Sequence, residues 1–399
     1  MPNVILTHQM IAREAAKMLV EDANLIKNIN TGRSDEFGQN INGYQKGDFV
    51  DIGVPNVPTV YSGSQFAGGG SAPDWTEGKV RLQLTKQKHV PVAFTAKEKK
   101  LNLTDFSKRV LRPAMQSLVS VVQADLIADF TASTPNVVGT WGTTPTTRTP
   151  YAQARARLEN FQAPTGDRTV LFSSDANVGL AEANATLFHD SAQIKGTFDD
   201  GAVGRYGGFN FFENQSMRVQ VNGAGAGYIV GAAGQTGSSL AVTTGTGAMP
   251  KGTVFTITGV NAVHPVTGVS LGYLRQFVVT ADYAGGAGNV AIYPAIIPTS
   301  AAVVGTVDAS PAASAPITVF GTASQSKRQN LAFHKDAFAA AFVPLPVLAS
   351  CEGYTATVQG ISVRVMTFGD GANDIERTRI DVLYGNATVR GDHACRITE

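Results

Sequence analysis

Between Asn222 and Ser326 the chain carries only four charged side chains, Lys251, Arg275, Asp282 and Asp308, although charged residues make up 16% of the whole sequence. Gly, Ala, Thr and Val fill the stretch instead, and nothing in it repeats at helical spacing. Short apolar and β-branched runs recur between turn residues: Tyr228 to Val230, Ser239 to Thr244, Thr253 to Val260, Tyr273 to Thr280, Val290 to Tyr293, Val303 to Val307 and Ile317 to Phe320. Regularly spaced short strands punctuated by glycine fold as a small all-β barrel or sandwich. Alternation assigns Val230, Leu240, Val242, Val254, Phe255, Ile257, Phe277, Val279, Val290 and Ile292 to its core. On the order of 100 residues buries enough surface to fold alone. Residues 222–326 therefore read as a β domain inserted in a host of mixed α and β character, which resumes after Lys327.

The host begins with an amphipathic arm, residues 1–43. Thr7 is placed to cap a helix in which Ile11, Ala15, Met18, Leu19, Ala23 and Ile26 share one face. Residues 44–100 hold a strand at Phe49 to Val54 and a long loop from Pro55 to Gly78 with the run Gly68-Gly-Gly70. Val80, Leu82 and Leu84 then alternate with polar neighbours. An insertion of that length in a compact domain argues for a binding role. Residues 101–135 form a spine helix, with a stripe of Phe106, Val110, Leu111, Met115, Leu118, Val119, Val122, Leu126 and Phe130. Pro113 demands either a kink or a helix that starts near Arg112. Residues 136–221 read as α/β, with helices at Tyr151 to Phe161 and Ser173 to Leu187 around a strand at Arg168 to Phe172. Residues 327–399 add a short helix at His334 to Phe342 and strands at Thr355 to Gln359, Ile361 to Thr367 and Thr378 to Tyr384.

Several function classes drop out. A net charge of +1 and a pI near 7.8 lack the basic excess that grips nucleic acid tightly. Two cysteines, Cys351 and Cys395, are too few for a disulfide framework and fit a reducing cytoplasm. No secretory signal is readable at the amino terminus, and the longest apolar run, Ala337 to Leu348, falls short of a bilayer span. His8, His89, His189, His264, His334 and His393 form no metal-ligand pair, and Asp370 to Asp374 with Glu376 reads as a polar turn. Gly223-Ala-Gly-Ala-Gly227 is followed by a strand, not the helix a phosphate loop needs, and reads as a flexible junction. No catalytic, metal or cofactor-binding residues are assigned, so an enzyme is not expected.

Five segments, in order, carry a resemblance: Gly47-Asp-Phe-Val-Asp51; Gly201-Ala-Val-Gly-Arg-Tyr-Gly-Gly-Phe209; Leu240-Ala-Val-Thr-Thr-Gly-Thr-Gly-Ala-Met-Pro-Lys-Gly-Thr-Val-Phe-Thr-Ile-Thr-Gly-Val260; Asn330-Leu-Ala-Phe-His334; and Leu383-Tyr-Gly-Asn-Ala-Thr-Val-Arg390. Together they resemble the HK97-type coat fold of tailed-phage major capsid proteins, in the branch similar to the P22 coat protein. The resemblance implies an α+β fold of amino-terminal arm, extended loop, spine helix with peripheral domain, and axial domain carrying an inserted β-barrel. It implies self-assembly as hexamers and pentamers into an icosahedral shell around double-stranded DNA, which is contacted non-specifically at the inner surface. Scaffolding, portal and optional decoration proteins are the implied partners, with no membrane. The implied location is the virion, after assembly in the bacterial cytoplasm. No removable scaffolding segment precedes the arm helix, so scaffolding is expected as a separate protein.

One departure from that pattern concerns Gly231 to Gly237, which is short and uncharged where relatives carry a long acidic loop that contacts a neighbour; that contact is not expected here. With no lysine between Tyr61 and Thr76, a loop-tip isopeptide is not expected either. The assembly contacts are therefore expected from Ile11, Met18 and Leu19 on the arm and from Ser64, Phe66 and Trp75 on the loop. The main rival is a secreted carbohydrate-binding or adhesin-like surface protein, opposed by the missing signal and the spine helix. A histidine hydrolase lacks a convergent site, and an encapsulin shell is not expected to carry the insertion.

Overall fold

The computed structural model describes residues 8–34, 37, 40–41, 44–45, 49–55, 77–95, 111–185, 204–300, 304–370 and 375–399. The chain divides into two compact units: Met1–Ile52 with Val80–Leu126 and Phe338–Ala387, and Gly53–Lys79 with Ile127–Ala337 and Thr388–Glu399. The helix Arg112–Ser133 contributes residues to both, with Pro113 in its first turn, where a missing amide costs nothing. Its stripe of Met115, Leu118, Val119, Val122, Leu126 and Phe130 is buried. The part of the spine expected at 101–110 lies outside the described residues.

The first unit is built on an antiparallel sheet in the order Glu352–Val358, Ile361–Asp370, Ile375–Thr388, Gly78–Thr95, Phe49–Val54, with Phe338–Val343 also paired to Ile375–Thr388. Pairing of the two long strands runs from Ile375 opposite Thr95 to Gly385 opposite Leu84, and the register slips after Tyr384. A Cβ on Gly385 would lie 2.1 Å from the Gln83 carbonyl oxygen, so only glycine permits the bulge. Asp381 is fully buried yet satisfied: Arg364 Nη2 reaches one oxygen at 2.7 Å and Arg379 Nε the other at 2.6 Å. The arm helix, His8–Asp22, packs on Glu352–Val358 and Ile361–Asp370. Ala12, Ala15 and Ala16 let it sit close to the sheet.

The sequence reading of a short helix at His334 to Phe342 is corrected. Strand Ser326–His334 passes through one 3-10 turn, Lys335–Ala337, into strand Phe338–Val343. Phe338, Ala339, Ala340, Ala341 and Phe342 are all buried, and a strand buried on both faces has the same continuous apolar signature as a buried helix.

The second unit holds a mixed sheet in the order Asn136–Val138, Ala394–Thr398, Ser326–His334, Arg168–Phe172, Phe209–Glu213, Arg205–Tyr206. Helix Thr149–Asn160 lays Tyr151, Ala154 and Leu158 on it, and helix Ser174–Ala185 adds Ala176 and Leu180 to the same core with Phe172, Phe211 and Ile397. Ser173 Oγ accepts the Ala176 amide at 3.2 Å and so caps the second helix.

The low-charge segment forms a sheet in the order Ala226–Val230, Gly237–Thr246, Gly288–Ile296, Ser270–Val279, Val254–Val263, Ile317–Val319. Its ends meet: the Val230 amide donates to the Ala315 carbonyl at 3.0 Å, and the Ser314 amide to Val230 at 2.9 Å. The sheet is therefore a closed barrel, which removes its open edges. Phe255 and Phe277 stack inside at 5.8 Å, and nine of the ten expected core residues line this interior. The tenth, Val254, faces outward and is buried against Val137 and Val278. The expected strand at Val303 to Val307 is present only as bridges from Val307 to Ala262 and Pro298, with Val303 outside the described residues.

Where the barrel joins the host, strand Val219–Val221 pairs with the start of Ser326–His334, Val221 opposite Ser326 and Val219 opposite Arg328. The Asn222 amide donates to the Gln325 carbonyl at 2.9 Å, so the barrel enters and leaves through the end of a single hairpin. Gly223 and Gly225 are packed, not free. A Cβ on Gly223 would meet the Ala248 carbonyl oxygen at 2.0 Å, which corrects the reading of a flexible junction.

Closure of the barrel over its own core predicts that residues 222–326, expressed alone, unfold cooperatively and give dispersed amide NMR signals. In that fragment Phe277→Ala should lower stability by about 3–5 kcal/mol in urea denaturation. A disordered spectrum for the unmutated fragment would show that the barrel needs its host.

Candidate functional site

Of the residues assigned to assembly, Leu19 is fully buried in the face of the arm helix that meets its own sheet. Ile11 and Met18 are half-buried, and Met10 beside them is 46% exposed. Ser64, Phe66 and Trp75 lie outside the described residues. The three assigned arm residues thus lie on one helix, with Ile11 and Met18 partly exposed and Leu19 not.

One closely bonded surface was not assigned from sequence: the seam between barrel and host sheet. The Gln276 side chain accepts the Val137 amide at 2.9 Å and donates to the Val137 carbonyl at 3.0 Å, so one amide from the barrel caps the host edge strand as a neighbouring strand would. Arg275 is 1% exposed, binds Asp392 at 2.5 Å and lies 4.4 Å from the Phe161 ring centre. Tyr273 faces the Arg157 guanidinium at 3.6 Å, and Tyr293 Oη accepts the Gly391 amide at 3.1 Å. Phe320 meets Trp141 edge-on at 6.3 Å.

Two further arginines tie the barrel to the carboxyl end of the long helix. Arg396, fully buried, donates to Gly252 O at 2.7 Å and Ala132 O at 3.4 Å. Arg218 donates to Ala128 O at 2.6 Å and Lys251 O at 3.3 Å. Cations at the last carbonyls of a helix complement its dipole. Burial draws the Arg396 pKa down to about 9, which still leaves it charged at neutral pH.

The four charges of the low-charge segment, which first marked it out, all have a task. Arg275 and Lys251 reach the host, the latter at 3.8 Å from Asp129. Asp282 accepts the Lys251 amide at 2.7 Å, and Asp308 accepts both Asn261 nitrogens at 2.8 Å.

His334 and His393 meet ring to ring at 6.3 Å. Burial lowers both, His393 to about 4 with Arg390 adding to the effect, so both are neutral at pH 7. Burial pushes the Cys395 thiol up to about 12, which leaves it unreactive. Among the described residues no group of His, Cys, Asp or Glu is arranged to hold a metal, and no helix is long and apolar enough to cross a membrane.

Known proteins share this architecture. The family model described as "P22 coat protein - gene protein 5" matches residues 59–395. Over 77 residues the chain is 35% identical to the major capsid protein of Acyrthosiphon pisum secondary endosymbiont phage 1, a stretch covering 19% of this chain and only 18% of that relative's length. A solved structure of Mycobacterium phage Che8 has the same fold at TM-score 0.50 and 12% identity, over 93% of this chain and 89% of that one. The solved CUS-3 coat protein I-domain is 28% identical, covering 24% of this chain and 95% of that one at TM-score 0.20.

Two outcomes follow from the seam. Gln276→Leu leaves the Val137 N–H and C=O without partners and should cost about 2–4 kcal/mol in urea unfolding, with faster hydrogen exchange at the Val137 amide. Unfolded His393 takes up a proton near pH 6.5, whereas in the fold it does so only near 4. Between those values the folded chain binds fewer protons, so stability is complete above pH 6.5 and falls by up to about 3 kcal/mol as pH drops towards 4. Unfolding midpoints measured across that window should flatten in His393→Gln.

Proposed function

This chain belongs to the P22 coat protein family, and on that premise we propose that it builds the icosahedral shell enclosing the double-stranded DNA of a tailed phage. Its work is structural: many copies meet as hexamers and pentamers in the wall of a virion. A separate scaffolding protein guides assembly in the bacterial cytoplasm, a portal protein occupies one position in the shell, and decoration proteins are optional additions. DNA touches the inner surface without sequence selection, in keeping with a net charge of +1. The observation that carries this reading is a closed β-barrel spliced into one hairpin of an α/β host, within the span that matches the coat family.

The proposed division of labour follows the chain. The barrel, residues 222–326, braces the host sheet through the seam. The arm, through Ile11 and Met18 at the rim of the buried Leu19, and the extended loop, through Ser64, Phe66 and Trp75, join neighbouring copies. Individually weak contacts repeated over a symmetric lattice multiply into a stable shell.

Negative-stain electron microscopy of the purified chain, with and without scaffolding protein, should show closed shells of uniform size. Deleting Ser64 to Ala72 should leave a folded monomer that forms none. Monodisperse monomers of the intact chain under every condition would overturn the coat reading; normal shells from the deletion variant would remove the loop from it.

A further inference from the structure

A cleft of about 310 Å³ opens beside the seam, with Arg275, Tyr293, Arg390, Asp392 and His393 in its lining and apolar walls that include Pro265. Its charges do not balance. Asp392 is already bound to Arg275 at 2.5 Å, while the Arg390 side chain has no ion-pair or hydrogen-bond partner among the described residues. Arg275 Nε and Nη1 and His393 Nδ1 are buried without partners. The Tyr293 hydroxyl accepts the Gly391 amide and retains its own proton to give.

A buried polar group without a partner is costly, so Arg275 Nε and Nη1 and His393 Nδ1 call for complements, and the half-exposed Arg390 adds a positive charge beside them. The cations and the tyrosine hydroxyl call for an anionic acceptor. Burial keeps the His393 imidazole neutral, and its buried, unpartnered Nδ1 calls for an N–H donor. An acidic residue in a polypeptide supplies both, a carboxylate to accept and a backbone N–H to donate, and its methylene stem suits apolar walls. A phosphodiester supplies no donor, and a cleft of this size does not admit a duplex.

We propose that this cleft receives an Asp or Glu side chain from a second copy of the chain. The proposal rests on the coat reading, because in a shell the surfaces next to any subunit are other copies held at high effective concentration. Arg390 and Tyr293 bind the incoming carboxylate directly, and Arg275, in the lining and paired with Asp392, adds its field. Contact between copies is thereby linked to the Arg275–Asp392 pair that holds barrel and host together.

Cryo-electron microscopy of wild-type shells at side-chain resolution tests this directly. The expected result is an Asp or Glu carboxylate of a neighbouring copy within about 3.5 Å of the Arg390 guanidinium. An empty cleft, a nucleic-acid phosphate or a different protein in that place overturns it. Arg390→Gln, at a half-exposed position, should melt like wild type as a monomer yet need about tenfold more chain to assemble. Shells that form from this variant at the wild-type concentration also overturn it. A wild-type chain that never forms shells removes the coat reading and this site together, whereas shells with a vacant cleft remove the site alone.

Discussion

A guanidinium sealed from water persists where oxygen atoms are turned towards it, and among the described residues Arg396 finds the carbonyls of Gly252 and Ala132, with its Nε left unpartnered. One oxygen belongs to the turn that leads into barrel strand Val254–Val263, the other to the end of the long helix, and Arg396 itself sits in strand Ala394–Thr398 of the host sheet. Three elements distant in sequence are thereby held to one side chain. Arg218 repeats the arrangement one turn back along the helix, and Gln276 does the same with an uncharged amide. The barrel has few charges of its own, so its attachment to the host adds backbone atoms to the Arg275–Asp392 pair.

Much of the barrel was legible because β structure writes its period locally. Leu240, Val242 and Ile257 alternate with small or polar residues, and that alternation alone locates the interior. Val254 breaks the pattern for a non-local reason: the outer face of its strand is covered by Val137, which alternation within the segment does not encode. The run Phe338 to Phe342 failed as a helix on similar grounds, since continuous burial erases periodicity.

The seam was hidden for a further reason, yet one clue was present. Gln276 and Val137 are separated by 139 positions, and an ordinary glutamine in a polar-apolar alternation carries no sign of such a partner. A lone arginine in a segment nearly free of charge is different. Burying Arg275 where so few charges occur implies a partner elsewhere in the chain, and Asp392 is that partner. Scarcity, not abundance, was the signal. The arm helix shows the opposite case: its apolar stripe reads from sequence as a face for other copies, whereas Ala12, Ala15, Ala16 and Leu19 are buried where the helix packs on the chain's own sheet.

The splice point has a kinetic side. Val221 and Ser326 are direct neighbours across a ladder, yet the chain between them is that of a whole domain. Loop-closure entropy grows by roughly 0.6 kcal/mol for each doubling of length, so joining those strands around an unstructured stretch of that size costs about 3 kcal/mol more than closing a tight turn. Once the barrel has closed, Asn222 and Gln325 are already bonded, and the two host strands are presented to each other at hairpin distance. The order of events then matters: a barrel that folds early converts a pairing between strands separated by a whole domain into a local one, and the effective contact order falls accordingly.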